Sequence, residues 1–109
     1  MSSEPTTQKK TFSYEEAAAM LPEVRRLTED AYLEVAALGE TAGAEAEARI
    51  DEVVTDWVRR LVEKGIEVKG LWLVDFDNGS GYYCWRYPET GLHFFHSYED
   101  GFRGRTRIQ

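Results

Sequence analysis

From Tyr14 onward, Tyr14, Ala17, Leu21, Val24, Thr28, Ala31, Val35 and Leu38 recur at alternating steps of three and four. That spacing lines one face of a 3.6-residue helix. Ser13, with Glu16 three residues on, spells a capping box and sets the start. Pro22 has no N–H to give Ala18 and its ring crowds that turn, so the pattern predicts a kink near Leu21–Pro22 and a longer helix to about Leu38. Gly39 to Gly43 breaks the period and connects to a second helix from about Ala44 to Lys64. Its stripe is Ile50, Val54, Trp57 and Leu61, flanked by Val53, Val58 and Val62. Gly65 supplies the left-handed residue that ends it, and Leu61 and Ile66 stand at the spacing of a Schellman contact. So short a connection makes the two helices an antiparallel hairpin.

After Gly65 the period falls to two. Residues 66–76, 82–87 and 92–96 are rich in β-branched and aromatic side chains, with turns at Asn78-Gly79 and at Pro88-Glu89-Thr90-Gly91. The expected fold is α+β: an N-terminal antiparallel helical hairpin packed on a three-stranded antiparallel β-meander. A two-residue turn at Asn78-Gly79 pairs Val74 with Tyr83 and Trp72 with Trp85. A four-residue loop at 88–91 pairs Tyr87 with Leu92 and Tyr83 with His96. One face then carries Trp72, Val74, Phe76, Tyr83, Trp85, Tyr87, Leu92, Phe94 and His96, and its aromatic content makes it the seat of the helices. The other carries Leu71, Leu73, Asp75, Tyr82, Cys84, Arg86, His93 and Phe95. An apolar surface of that kind marks a partner interface, and a homodimer is the economical expectation. Ahead of Phe12, residues 1–11 are polar and aperiodic and are expected to form a disordered tail. Residues 12–109 are expected to form a single domain.

The 109 residues hold 13 Lys+Arg against 20 Asp+Glu, a formal charge of −7. A field of that sign argues against general binding to nucleic acid or to an anionic membrane. One cysteine, Cys84, rules out an internal disulfide. No apolar run is long enough to span a bilayer and the first residues lack the apolar stretch of a signal peptide, so the expected compartment is the cytoplasm.

The chemistry-bearing residues are few. His93 and His96 fall three apart on a strand and so face opposite ways, which forbids a shared ion. His96 with Glu99 is the better metal pair, since the chain can curl back after Ser97. The plainer reading is that Glu99 orients a half-buried His96. Cys84, mid-strand with no second cysteine nearby, is expected to be a buried, inert thiol. Arg103, Arg105 and Arg107, with Arg86, have the forked geometry to meet an anion, although pairing with the acidic helices is the simpler expectation. Glycine-rich phosphate loops, Ser-His-Asp sets and zinc-finger spacings are absent, and no cofactor is implied.

Several stretches resemble one family. Phe12-Ser-Tyr-Glu-Glu-Ala-Ala-Ala-Met-Leu-Pro-Glu-Val24, Gly65-Ile-Glu-Val-Lys69, Gly70-Leu-Trp-Leu-Val-Asp-Phe76 and Tyr83-Cys-Trp-Arg86 are similar to the prokaryotic domain-of-unknown-function family number 2203. The ending Phe95-His-Ser-Tyr-Glu-Asp-Gly-Phe-Arg-Gly-Arg105 resembles that family's W-H-x-x-D-x-G-F-x-G-R close, with Phe95 for Trp and Glu99 for Asp. The resemblance implies a small cytosolic protein and carries over no catalytic residue. It directs attention to the polar residues inside those motifs: Asp75, Arg86, His96, Glu99 and Arg105. Three functional expectations follow. The first is a non-catalytic homodimeric binding or interaction module. The second is a small metal- or anion-dependent enzyme or ligand site around His96, Glu99, Arg86 and Arg105, with Asp75 as an outlying member. The third, RNA contact through the arginine tail, runs against the overall charge.

Overall fold

The Ser13 hydroxyl accepts the backbone N–H of Glu16 at 3.0 Å, and the Glu16 carboxylate accepts the N–H of Ser13 at 2.9 Å. This reciprocal cap opens helix α1, Tyr14–Gly39. The computed structural model describes residues 10–41 and 43–108, so the expected disordered tail lies outside the described residues except for Lys10 and Thr11. α1 is one element that runs through Pro22; the exposed proline does not divide it. Helix α2, Ala44–Glu63, ends in the expected Schellman motif. Gly65 has φ +86°, its N–H reaches Val62 O at 2.9 Å, and Ile66 N–H reaches Leu61 O at 3.0 Å. Cross-links between the helices, from Lys64 to Glu23 and from Arg49 to Glu34, run antiparallel. At the centre, the buried Trp57 Nε1–H donates to Thr28 Oγ1 at 2.9 Å.

The sheet has five strands where three were expected: β1 Glu67–Gly70, β2 Leu73–Asp77, β3 Tyr82–Arg86, β4 Phe94–His96 and β5 Thr106–Arg107, antiparallel and in sequence order. The expected first strand is two strands. A register shift between Val68 and Gly70, followed by a turn at 71–72, folds residues 67–77 into a hairpin. The fifth strand comes from the arginine tail, which pairs with β4.

Both registers also differ from expectation. The β2–β3 connection is a four-residue turn in which Asn78 N–H reaches Gly81 O at 2.8 Å, so Val74 pairs with Trp85 and Phe76 with Tyr83. That is a shift of two, which leaves every side chain on its expected face. The β3–β4 connection spans 87–93, longer than the expected loop, and Tyr82 rather than Tyr83 stands opposite His96. That shift is one, and it moves Phe94 and His96 to the other face.

The helices cover the face that carries Val74, Phe76 and Trp85, all 0% exposed. Trp57 of α2 meets Trp72 at 4.9 Å between centroids, and Phe12 meets Phe76 at 5.5 Å. Phe12 N–H donates to Asp77 O, which ties the chain ahead of α1 to the end of β2. The opposite face is not the apolar surface expected. Leu71 lies in the β1–β2 turn, exposed, and the rows across the sheet read Asp75, Cys84, Phe94 and Asp77, Tyr82, His96. Tyr98, Arg105 and Lys69 lie against it: Tyr98 meets Tyr82 edge-on at 5.2 Å, Arg105 lies over Phe94 and Lys69 over Tyr82. Part of the surface on which the dimer expectation rested thus carries the chain's own Lys69, Tyr98 and Arg105.

A buried Asp–Cys–His cluster on the far face of the sheet

Asp75 and Cys84 are cross-strand neighbours in the β2–β3 ladder, so their side chains leave the sheet side by side. The one-residue register shift of β4 brings His96 to the same face. One donor atom from each of Asp75, Cys84 and His96 lies within 4.8 Å of the others, and all three residues are buried. His96 Nε2 is 3.0 Å from Asp75 Oδ2, and its Nδ1 is 2.8 Å from the carbonyl oxygen of Ser97. A carbonyl oxygen only accepts, so Nδ1 carries a hydrogen and donates it. Between Nε2 and the carboxylate a cation is then required, and without a metal a proton takes that place.

The electrostatics are severe for a small protein. Asp75 is 1% exposed, and its Oδ1 has no donor among the described residues apart from the thiol of Cys84. A buried carboxylate oxygen left in that state costs several kcal/mol unless a cation or donor reaches it, on the order of the usual penalty for desolvated charge. Lys69 Nζ lies 3.5 Å from Asp75 Oδ2 and 3.5 Å from Glu67 Oε1, above the ring of Tyr82 at 4.2 Å. Burial alone would lower the Lys69 pKa, but the charges of Asp75, Tyr82 and Glu67 outweigh it and hold the amine above its ordinary value. Burial first, and then the charge of Asp75 and the thiol's hydrogen bond to it, push the Cys84 thiol up to about 12, against the weaker pull of Arg105. Cys84 is therefore a neutral thiol at pH 7 unless a metal takes its proton. Next to the cluster, Tyr82 OH donates to Glu67 at 3.2 Å and Tyr98 OH donates to Asp77 Oδ1 at 2.7 Å.

The other expected site residues sit elsewhere. Glu99 is exposed and makes no hydrogen bond to His96 among the described residues; the carboxylate that orients His96 is Asp75. Arg105 and Arg86 do not open a joint anion site. The fork of Arg105 closes on both oxygens of Glu89, in the β3–β4 connection rather than on the acidic helices, and Arg86 is exposed beside Phe102. Glu89 also accepts the N–H of Arg86 through its side chain, and its carbonyl takes Trp85 Nε1–H and Arg25. His93 lies ahead of β4, near Thr90. Cys84 is the buried thiol that was expected, now placed beside Asp75, and Lys69 is the member that sequence reasoning passed over. Alternation along β2 and β3 already placed Asp75 and Cys84 on one face, and that was the available signal.

The cluster does not have the wiring of a thiol protease. There the histidine bonds a carboxylate through one nitrogen and the nucleophile through the other. Here the second nitrogen is held by Ser97 O, and the thiol stands beside the carboxylate. What the arrangement offers instead is one nitrogen, one oxygen and one sulfur converging from three strands.

An α+β protein with two helices ahead of a five-stranded antiparallel sheet, and with this cluster under its far face, is the class the structure defines. The model of an uncharacterized conserved protein family, DUF2203, matches residues 10–108, and the chain belongs to that family. No curated protein and no solved structure matches it. Among the described residues no helix is long and apolar enough to cross a membrane.

Proposed function

We propose that this protein is a non-catalytic binding module that holds one divalent transition-metal ion between Asp75, Cys84 and His96. The observation that carries the reading is the convergence of these three donors within 4.8 Å, together with a buried Asp75 Oδ1 that has no donor among the described residues apart from the thiol of Cys84. Two further features support it. His96 donates its second N–H to a backbone carbonyl, the usual way a ligating imidazole is oriented. A carboxylate, a thiolate and a neutral imidazole together carry −2, which a dication neutralises. Mixed sulfur, nitrogen and oxygen donors suit zinc and its neighbours rather than calcium or magnesium. With Nδ1 held by Ser97 O, Nε2 is the nitrogen that faces Asp75 and that the metal reading uses as ligand.

The test is elemental analysis of protein purified without chelator, for wild type, Asp75→Asn and Cys84→Ser. The reading expects about one transition-metal ion per chain in wild type and its loss in both variants, as removal of a ligand gives. Metal-free wild type that also fails to take up added zinc overturns it. A cytoplasmic location is part of the proposal, supported by the single, unpaired cysteine. Self-association is a separate proposal, and sedimentation over a range of concentrations tests it.

A further inference from the structure

Lys69 holds a place that a metal at the cluster needs. Its amine and His96 both contact the same oxygen, Asp75 Oδ2. In the β1–β2 ladder Glu67 pairs with Asp75, Val68 with Val74 and Gly70 with Leu73, so Lys69 is the residue left without a partner where the register shifts. A bulge of this kind re-aims a side chain and frees its backbone from the ladder. β1 is also the edge strand of the sheet. The Lys69 side chain is 37% exposed where Asp75 is 2% exposed, so the amine caps the cluster from the solvent side and has a path out. Glu67, Asp75 and the Tyr82 ring around it form a cradle for a cation, filled by a cation of the chain itself.

We infer, on the metal reading above, that Lys69 is a tethered cation in competition with the divalent ion for Asp75, so that loading the site and releasing the Lys69 amine are one event. A dication held by the carboxylate, a thiolate and the imidazole leaves that centre neutral. The ammonium then loses the attraction that the uncompensated Asp75 carboxylate gave it. Glu67 remains as its partner at the rim. The coupling is reciprocal in binding free energy: whatever neutralises Lys69 tightens metal binding, and metal binding loosens the hold of Asp75 on the Lys69 amine by the same factor.

Zinc affinity, measured by competition with a chromophoric chelator, tests this on wild type, Lys69→Met, Lys64→Met and Asp75→Asn. Lys64 pairs with Glu23 on the helices and controls for the loss of one surface charge. Lys69→Met is expected to bind zinc about tenfold more tightly than wild type, within the usual range of coupling between two sites. Lys64→Met is expected to match wild type and Asp75→Asn to lose the ion. Equal or weaker binding by Lys69→Met, with wild type still binding through Asp75, overturns the competition and leaves the metal reading standing. Absence of zinc binding in wild type and in every variant overturns both. As a second readout, acetylation of Lys69 by an N-hydroxysuccinimide ester, followed by peptide mass spectrometry, is expected to be faster with zinc than without. A rate that zinc leaves unchanged or slows contradicts the inference.

Discussion

The guanidinium of Arg105 lies between the rings of Phe94 and Phe102, 4.0 Å from each centroid, while its fork closes on the two oxygens of Glu89. One side chain thereby joins β4, the segment after it and the β3–β4 connection. Burial works against the Arg105 charge, and the hydrogen bonds and charge of Glu89 more than offset it, leaving its pKa raised. A lysine has neither the planar fork nor the flat face for stacking. Arg105→Lys is therefore expected to destabilise the protein by about 2 kcal/mol, between an exposed and a fully buried pair. Urea unfolding of Arg105→Lys, Glu89→Gln and the double variant checks it. Additive losses would show that the pair does not act as a unit.

Cys84 supplies a prediction with a pH axis. Burial holds its folded pKa at about 12, above the ordinary thiol value near 9, so the native chain keeps the thiol proton through the window where an unfolded chain loses it. Native-state stability from this group is complete below pH 9 and drains away as pH rises towards about 12. Alkylation of metal-free native protein at pH 8 is expected to be about a thousandfold slower than in urea, since the thiolate fraction falls tenfold per unit. Comparable rates in the two states would mean that the thiol is not shielded as the structure shows.

Gly81 lies against β4. A Cβ there would meet the backbone oxygen of His96 at 2.6 Å and the ring of Phe95 at 2.7 Å. The oxygen cannot move without shifting the strand that carries His96, so Gly81→Ala is expected to cost about 1–3 kcal/mol by overpacking. It is also expected to weaken metal binding by displacing one ligand. Thermal unfolding and zinc titration of the variant read the two effects separately, and a wild-type Tm would contradict the contact.

Between the helices, Thr28→Val keeps the shape of the side chain and removes the acceptor of Trp57 Nε1–H. Both residues are buried, at 0% and 2% exposure, so the indole N–H is left without water. The expected loss is about 1–3 kcal/mol, the penalty for an orphaned donor. Unchanged urea midpoints would show that the helix pair tolerates the orphan.

Much of the helical half was legible in the chain because its signals are local. Ser13 and Glu16 marked the cap, and Leu61, Gly65 and Ile66 marked the Schellman end. Asp75 and Cys84 were placed on one face in spite of a mistaken turn, because an error of two residues keeps strand parity. His96 was placed on the wrong face because its parity depends on the length of the 87–93 connection. That connection is held by Glu89, whose carbonyl takes Trp85 and Arg25, a long-range contact with no local pattern behind it. The two-residue β5 is too short for any periodicity to mark. Lys69 drew no reading from the sequence, since nothing local says that β1 folds back along β2 and brings its amine to 3.5 Å from Asp75.

The central claim is that Asp75, Cys84 and His96 hold one metal ion, and cobalt(II) titration followed by absorption tests it most directly. Cobalt reports the donors themselves, because a bound thiolate gives a charge-transfer band and a low-symmetry site gives intense visible bands. The account predicts saturation at about one ion per chain with a thiolate band that is absent in Cys84→Ser and abolished in Asp75→Asn, as expected where binding takes the thiol proton. Titration to excess cobalt with no thiolate band in folded wild type would contradict it.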